Sequence, residues 1–285
     1  MAQPELYHGP KGSRYLWLYV PSMPASIIFI VMFSIASAFH IWKAGRTRAA
    51  FCIPFIIGGL LEVAGYATRA YCTDRTAELI PFIVQNILIL LAPVLLAASI
   101  YMFLARLIIS VGADRYSLIR VTRLTKVFVA GDIISFLVQG TGGGMAATEK
   151  MADKSQGVVI GGLMVQIVVF GFFIITSTMF EVRMRRNPLA PEFAWVPHLY
   201  PLYTVSALIM VRSVFRVIEY AMGEDGYLLS NELPMYVFDA ALMLAVMAIW
   251  GYWHPGVLRE DMKDAQLVSM NSPTHRARRR STNRR

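Results

Sequence analysis

Histidine and cysteine, the residues that most often hold metals or form disulfides, are scarce in this chain. It has five histidines and two cysteines among 285 residues. There is no HExxH pattern and no paired Cys/His spacing, and a membrane-embedded zinc amidase would need a cluster of histidines inside the membrane. Cys52 and Cys72 lie near opposite ends of one apolar stretch, about 30 Å apart along a helix, which is too far for a disulfide. We expect both to be free packing residues.

Nucleotide-binding and hydrolase motifs are absent as well. The run Gly140-Thr141-Gly142-Gly143-Gly144 is not followed by Gly-Lys-Ser/Thr, so it is not a phosphate loop; it is typical of a flexible turn or a close-packing patch. No nucleophile elbow is recognisable, and no nucleic-acid-binding fold accompanies the basic C-terminal residues. The chain is therefore predicted not to be an enzyme, to need no cofactor or metal, and to bind no nucleic acid.

Apolar sequence, by contrast, is abundant. Hydrophobic residues make up 56% of the chain, and the mean hydropathy is +0.52. A transmembrane helix needs about 20 apolar residues, and the long runs here lack the alternation of barrel strands. The sequence predicts an all-α, multi-pass membrane protein with seven transmembrane helices, at residues 20–42, 50–71, 79–106, 122–140, 157–180, 200–222 and 233–254.

The net charge of +9 is concentrated in alternate connections and in the C-terminal tail. The rich connections contain Lys43, Arg46 and Arg48, then Arg115, Arg120, Arg123 and Lys126, and then Arg183, Arg185 and Arg186. The positive-inside rule places the N-terminus outside and the C-terminus in the cytoplasm. The predicted parts are an extracellular segment (1–19), a transmembrane domain (20–258) and a basic tail (259–285), which we expect to be disordered and to bind anionic lipids.

Charged and amide side chains interrupt several of the apolar runs. A charge near the bilayer centre costs at least about 2.5 kcal/mol, so such groups normally face a bundle interior or a wet cavity. Most of them fall at mid-span or in the predicted outer halves, which predicts a cavity that opens outward. We predict a shared ligand-binding site formed by Glu62, Arg69, Gln85, Asn86, Asp132, Gln139, Gln166, Arg212, Arg216, Glu219 and Asp239.

The spacing of these residues places several of them on common helix faces. Residues seven apart lie nearly two turns apart on one side of a helix; such pairs are Glu62 and Arg69, Asp132 and Gln139, and Glu232 and Asp239.

In the sixth span, Arg212, Arg216 and Glu219 form one charged stripe, in which Arg216 and Glu219 are expected to pair. Arg212 then needs a partner on another helix, and Asp132 or Glu62 is the natural candidate. Alternatively, all these charges are interhelical ion pairs that only fix packing.

A proline interrupts the third span. Pro93 should kink this helix, because its ring removes a backbone hydrogen bond. The kink could be a gating hinge or a static bend.

The segments around these polar residues resemble the motifs of a known family. They are Leu60–Arg69, Leu91–Tyr101, Asp132–Gln139 with the glycines that follow, Arg212–Glu219, and Asp239 through Gly256. Over residues 15–258 the chain resembles the fungal lipid-translocating exporters. These are seven-helix, RTA-like membrane proteins linked to resistance against aminocholesterol and sphingoid bases.

The resemblance implies a fungal protein of the plasma membrane, or of an internal membrane, that handles an amphipathic lipid or sterol-like ligand. Family members are associated with sphingoid-base export, toxic-compound resistance and porphyrin uptake. The leading hypothesis is an ATP-independent translocator of amphipathic lipids, in which carboxylates such as Glu62 and Asp132 bind an amine and the arginines bind phosphate or keep the carboxylates ionised. Two alternatives stay open: a seven-helix receptor for a lipid, and a haem or porphyrin binder that uses His198, His254 or a methionine as axial ligand.

Overall fold

The computed structural model describes residues 21–47, 50–74, 78–146, 152–186, 195–223, 228 and 231–253. The N-terminal segment, the basic tail and His254 lie outside the described residues. Within the described part, the chain forms seven long helices and no strand, which confirms the all-α seven-helix prediction.

The helix bounds agree with the predicted spans to within a few residues. The helices are α1 (Met23–Thr47), α2 (Ile53–Tyr71), α3 (Leu79–Ser110), α4 (Val121–Ala146), α5 (Ala152–Arg185), α6 (Val196–Ala221) and α7 (Glu232–Tyr252). Cys52 and Cys72, which flank α2, are buried and free, as expected. The largest difference is at the end of α4, which was predicted to stop at residue 140 and continues to Ala146.

The glycine run that follows residue 139 stays helical because α4 packs closely against α5. A Cβ atom on Gly142 would lie 2.6 Å from Cγ2 of Val159 and 2.9 Å from its backbone nitrogen. A Cβ on Gly131 would meet Val169 Cγ1 at 2.7 Å. Small residues allow two helix backbones to approach this closely. The flexible-turn interpretation is wrong, because the run is helical. The close-packing interpretation holds for Gly142 of the run, whereas a Cβ on Gly140, Gly143 or Gly144 would meet nothing within 4 Å.

The outside of the bundle is apolar, as a lipid environment requires. Large side chains such as Ile35 and Val168 are each 66% exposed. Five described helices, α1, α3, α5, α6 and α7, are long and apolar enough to cross a membrane by length and composition. Helices α2 and α4 carry the buried charges and glycines that lower their hydropathy. The protein is a multi-pass membrane protein.

Helix α3 lies at the centre of the bundle. It packs against α2, α4 and α6. In its apolar stretch of 18 residues 67% is buried, against 22% in the corresponding stretch of α1. A helix that is apolar on all sides belongs in such a position. Residues that face α2 and residues that face α4 are therefore on different sides of one central helix.

Pro93 lies inside α3, which continues past it as one helix. Its ring has no N–H to donate to the carbonyl of Ile89, four residues earlier. Arg212 of α6 instead donates to that carbonyl from Nη2, over 3.4 Å. A side chain from a neighbouring helix thus satisfies a backbone group that would otherwise have no partner in an apolar environment.

Candidate ligand site between α2, α6 and α7

Arg212 of α6 pairs with Asp239 of α7, so the prediction that it pairs with Asp132 or Glu62 is wrong. Its Nε donates to Oδ1 of Asp239, and the two side chains are only 3% and 1% exposed. Helix α6 packs directly against α7, whereas α4 packs against α3 and α5. Residue spacing within one helix does not reveal which helix packs against it. The partner of Arg212 depends on this arrangement of the helices.

Asp239 lies in a π-helical segment of α7, Tyr236–Ala240. There the backbone N–H of Ala241 donates to the carbonyl of Tyr236, five residues back instead of four. Such segments are rare and frequently occur at functional sites. The two carboxylates of α7 bind arginines of different helices: Asp239 binds Arg212 of α6, and Glu232 binds Arg69 of α2.

Arg69, at the end of α2, pairs with Glu232 at the start of α7. Its Nη2 donates to Glu232 Oε1 over 2.8 Å, and the guanidinium lies 5.5 Å above the ring of Tyr236. The Tyr236 hydroxyl donates to the same carboxylate over 3.0 Å, and the backbone N–H of Ser22 donates over 2.9 Å. This group connects α1, α2 and α7. Glu232 was missing from the predicted site because it lies one residue outside the predicted span; its spacing to Asp239 was the available signal.

Arg216 and Glu219 form the third pair, as the i, i+3 spacing predicts. Nη1 of Arg216 donates to Oε2 of Glu219 over 2.7 Å, and Glu219 is 4% exposed. Glu219 also interacts electrostatically with Arg212 and Asp239. The charged stripe of α6 is therefore continuous with the α6–α7 pair.

Glu62 is the carboxylate that this network leaves without an arginine of its own. It is 1% exposed, and neither of its side-chain oxygens has a hydrogen-bond partner among the described residues. Arg212 and Asp239 lie within electrostatic range of it. The three buried arginines of the network each pair with another carboxylate, namely Glu232, Asp239 and Glu219. A buried carboxylate is strongly unfavourable in its charged form when it has no partner, so Glu62 needs either a proton or an additional cation.

A buried tyrosine adds a further polar group without a partner beside Glu62. Tyr66, one turn further along α2, is fully buried, and its hydroxyl has no partner within the described part of the chain. Residues four apart share a helix face. Phe29 and Phe33 of α1 stack on the Tyr66 ring, with centroids 5.6 and 5.7 Å away. The unpartnered oxygens of α2 therefore adjoin an aromatic stack.

Asp132 belongs to a different place, between α3, α4 and α5. Tyr101 of α3 donates its hydroxyl proton to Oδ2 of Asp132 over 2.7 Å, while Oδ1 has no partner among the described residues. Asp132 is 1% exposed. Phe170 and Phe173 of α5 pack on the Tyr101 ring at 6.0 and 4.6 Å. The structure thus separates Asp132 from Glu62, although the sequence placed them in one site.

The predicted amide residues also divide among several positions. Gln139 Nε2 donates to Gln166 Oε1 over 3.0 Å and joins α4 to α5. Gln85 is buried on α3, with its Oε1 unpartnered within the described part of the chain. Asn86 is exposed and donates to the carbonyl of Phe82 in its own helix. Adjacent helix residues point in directions about 100° apart, so Asn86 faces outward where Gln85 faces inward.

A seven-helix bundle that buries a network of ion pairs between α2, α6 and α7 is a polytopic membrane protein with a polar interior. Sequence comparison gives its family. The chain belongs to the RTA1-like family: the family model described as "RTA1 like protein" matches residues 55–262.

Several yeast proteins are similar to most of the chain. Protoporphyrin uptake protein 1 of Saccharomyces cerevisiae is 32% identical over 270 residues, which cover 81% of this chain and 89% of the relative. Protein RTA1 of the same species is 31% identical and covers 84% of each chain. The sphingoid long-chain base transporter RSB1 of S. cerevisiae (strain Lalvin EC1118) is 28% identical over 89% of this chain and 76% of the relative. No solved structure matches the chain.

Proposed function

We propose that this protein is an ATP-independent membrane transporter of amphipathic lipids that carry an amine, of the sphingoid-base type. Glu62 is the counterion of the lipid's ammonium group. The observation that carries this proposal is the buried Glu62 carboxylate, which has no hydrogen-bond partner among the described residues and no arginine of its own.

The unpartnered groups around Glu62 match an ammonium group in number and charge. An ammonium has three N–H donors and no acceptor. Glu62 Oε1, Glu62 Oε2 and the Tyr66 hydroxyl are three unpartnered acceptors on one face of α2. A charge-assisted hydrogen bond from a cation would also supply the missing positive charge. The neighbouring Arg212–Asp239 pair fixes the surroundings in place.

The aromatic stack offers a route between this site and the lipid. Phe29 of α1 is partly buried, whereas Phe33 and Tyr66 are fully buried. Aromatic faces attract cations as well as apolar chains, so an amine can enter along the stack while its hydrocarbon tail stays against apolar helix faces. An outward-opening cavity, an external N-terminus, a plasma-membrane location and lipid contacts of the basic tail remain predictions of the sequence.

A porphyrin is the second candidate ligand, because one relative is named a protoporphyrin uptake protein. Porphyrin carboxylates would bind arginines, but Arg69, Arg212 and Arg216 already pair with carboxylates of the protein. Of the proposed axial ligands, His254 lies outside the described residues. His198 lies in the first turn of α6, fourteen residues before Arg212 and about 21 Å from it along the helix. The site therefore favours a lipid amine, and a Soret band in the purified protein would reverse that preference.

Flux measurements in liposomes containing the purified full-length protein test the proposal. The wild type should move a radiolabelled sphingoid base between leaflets, and Glu62→Gln should lower the rate at least about tenfold, since a lost charged hydrogen bond is worth about 1.5–3 kcal/mol. An N-acetylated base, which has no charge, should not be transported by either protein.

The matched control is Glu78→Gln, which changes an exposed carboxylate at the start of α3. It should transport at the wild-type rate. Wild-type flux in Glu62→Gln would contradict the role of Glu62. Absence of any protein-dependent flux in the wild type would favour the receptor alternative.

A further inference from the structure

The carboxylate of Asp132 lies outside the ligand site, where the central helix α3 packs against α4. This inference rests on the transport function proposed above. We propose that Asp132 binds the proton whose movement drives lipid transport, with Tyr101 as its positioning residue. The two carboxylates would then have different occupants: an ammonium at Glu62 and a proton at Asp132.

The two places are too far apart to bind one headgroup. Glu62 lies on α2 between Gly58, which packs against Ala92 of α3, and Gly65, which packs against Ile89. Tyr101, which binds Asp132, follows Ala92 by nine residues, or about 14 Å along the helix. Asp132 therefore needs a ligand of its own.

The number of available oxygens selects a proton as that ligand. A hard metal ion takes six or more oxygen ligands, and an ammonium needs three acceptors. Asp132 offers one unpartnered oxygen, Oδ1, since Tyr101 occupies Oδ2. A proton needs only one oxygen.

No neighbouring charge fixes the protonation state of Asp132. Among the described residues, no arginine or lysine forms an ion pair with it, and Tyr101 is the titratable group that contacts it from α3. Helix α5 presents Phe170 and Phe173 at this level. The nearest basic residues on α4 and α3, Lys126 and Arg106, are exposed, and Arg106 lies over the ring of Phe51. A nearby arginine favours the ionised form of a carboxylate. Arg212 lies within electrostatic range of Glu62, but no arginine or lysine among the described residues does so for Asp132, so Asp132 is free to gain and lose a proton.

The chemical step is a reversible protonation. One O–H bond forms on Oδ1 of Asp132 when a proton arrives from water on one side of the membrane. The same bond breaks when the proton leaves to water on the other side. No other covalent bond changes, and exchange of one proton for one ammonium is electrically neutral.

Two measurements on one preparation of proteoliposomes test this assignment. The first is exchange of radiolabelled sphinganine for unlabelled sphinganine at equal pH, which requires no net proton movement. The second is the initial rate of net accumulation driven by a gradient of one pH unit, with the initial rate in protein-free liposomes subtracted. The rate is measured because the neutral base, crossing the bilayer alone, reaches the same end point of about tenfold accumulation. In the wild type, the initial rate should exceed that of protein-free liposomes.

Asp132→Asn should exchange sphinganine at the wild-type rate and lose the gradient-driven accumulation. Its retained exchange also shows that the variant is folded. Glu62→Gln should lose both activities. Tyr101→Phe keeps the ring but removes the donor to Oδ2, so the midpoint of the pH dependence of net transport should move to higher pH.

Three results would overturn the assignment. Asp132→Asn could keep the gradient-driven accumulation, which would place the coupling proton elsewhere. Asp132→Asn could instead lose exchange as well while the purified variant still runs as a monodisperse peak. In that case Asp132 would be part of the lipid path. Absence of protein-dependent exchange in the wild type would remove the transport function and the coupling role with it.

Discussion

The two sides of α3 handle buried charge in opposite ways. Between α2, α6 and α7, three arginines pair with three carboxylates, and Glu62 is left over. Between α3, α4 and α5, a single carboxylate binds a tyrosine hydroxyl among phenylalanines, and glycines bring α4 close to α5. Buried ion pairs connect the helices on the first side, and close packing at glycines connects them on the second. A change of charge should therefore damage the first side most, and a change of volume the second.

The largest effect is expected from Arg212→Ala. The substitution leaves Asp239 buried without its partner, next to Glu62, and removes the donor to the Ile89 carbonyl. Removing one partner of a buried ion pair costs about 3–5 kcal/mol. The variant should give a much lower yield of folded protein and a lower midpoint of thermal unfolding in detergent.

The control for this variant replaces both partners with apolar residues of similar volume. Arg212→Met combined with Asp239→Leu should be more stable than Arg212→Ala alone, because no unpaired charge of that pair remains. If the double variant is instead the least stable of the set, the pair is not the source of the loss.

On the other side of α3, Gly162→Ala should be the damaging change. A Cβ there would lie 2.7 Å from Gln139 Cγ and 3.0 Å from both the Gln139 backbone nitrogen and the Ser135 carbonyl oxygen. Because two of these atoms belong to the backbone, the clash cannot be relieved by a side-chain rotation. Overpacking of this kind costs about 1–3 kcal/mol, measurable by thermal unfolding.

The adjacent residue is a matched control. A Cβ on Gly161 would meet nothing within 4 Å. Gly161→Ala should leave the unfolding midpoint unchanged or raise it slightly, since alanine favours helix over glycine by about 1 kcal/mol. Equal losses at both positions would show that packing between α4 and α5 is not what the glycines provide.

The smallest effect is expected from the loss of one hydroxyl group in the ligand site. Tyr66→Phe removes one of the three unpartnered acceptors, so the apparent KM for a sphingoid base should rise about fivefold, equivalent to one neutral hydrogen bond of about 1 kcal/mol. Thermal stability should stay constant or increase, because this hydroxyl has no partner to lose within the described residues. An unchanged KM would exclude the hydroxyl from ligand binding.

Features that depend on one helix alone could be read from the sequence. The seven spans follow from apolar length, and the Arg216–Glu219 pair follows from i, i+3 geometry. Pro93 also identifies, by the four-residue rule, the carbonyl that lacks a backbone donor.

Features that depend on how helices face one another could not be read in this way. Arg212 pairs with Asp239 because α6 stands beside α7, and Arg69 pairs with Glu232 because the end of α2 meets the start of α7. The π-helical segment changes the rotation of α7 by a backbone rearrangement that residue spacing does not encode. Asn86 shows the same limit: only the rotation of α3 decides that it faces outward.

The guanidinium of Arg212 donates hydrogen bonds to two groups. One is the Asp239 carboxylate, and the other is the Ile89 carbonyl of α3, to which Pro93 cannot donate. An ammonium bound at Glu62 would lie beside this pair, so it would act on the same guanidinium that supports α3 at its proline. Tyr101, further along that helix, carries the hydrogen bond to Asp132. Helix α3 therefore connects the two sites: Arg212 supports it at the carbonyl that Pro93 leaves open, and Tyr101 joins it to Asp132.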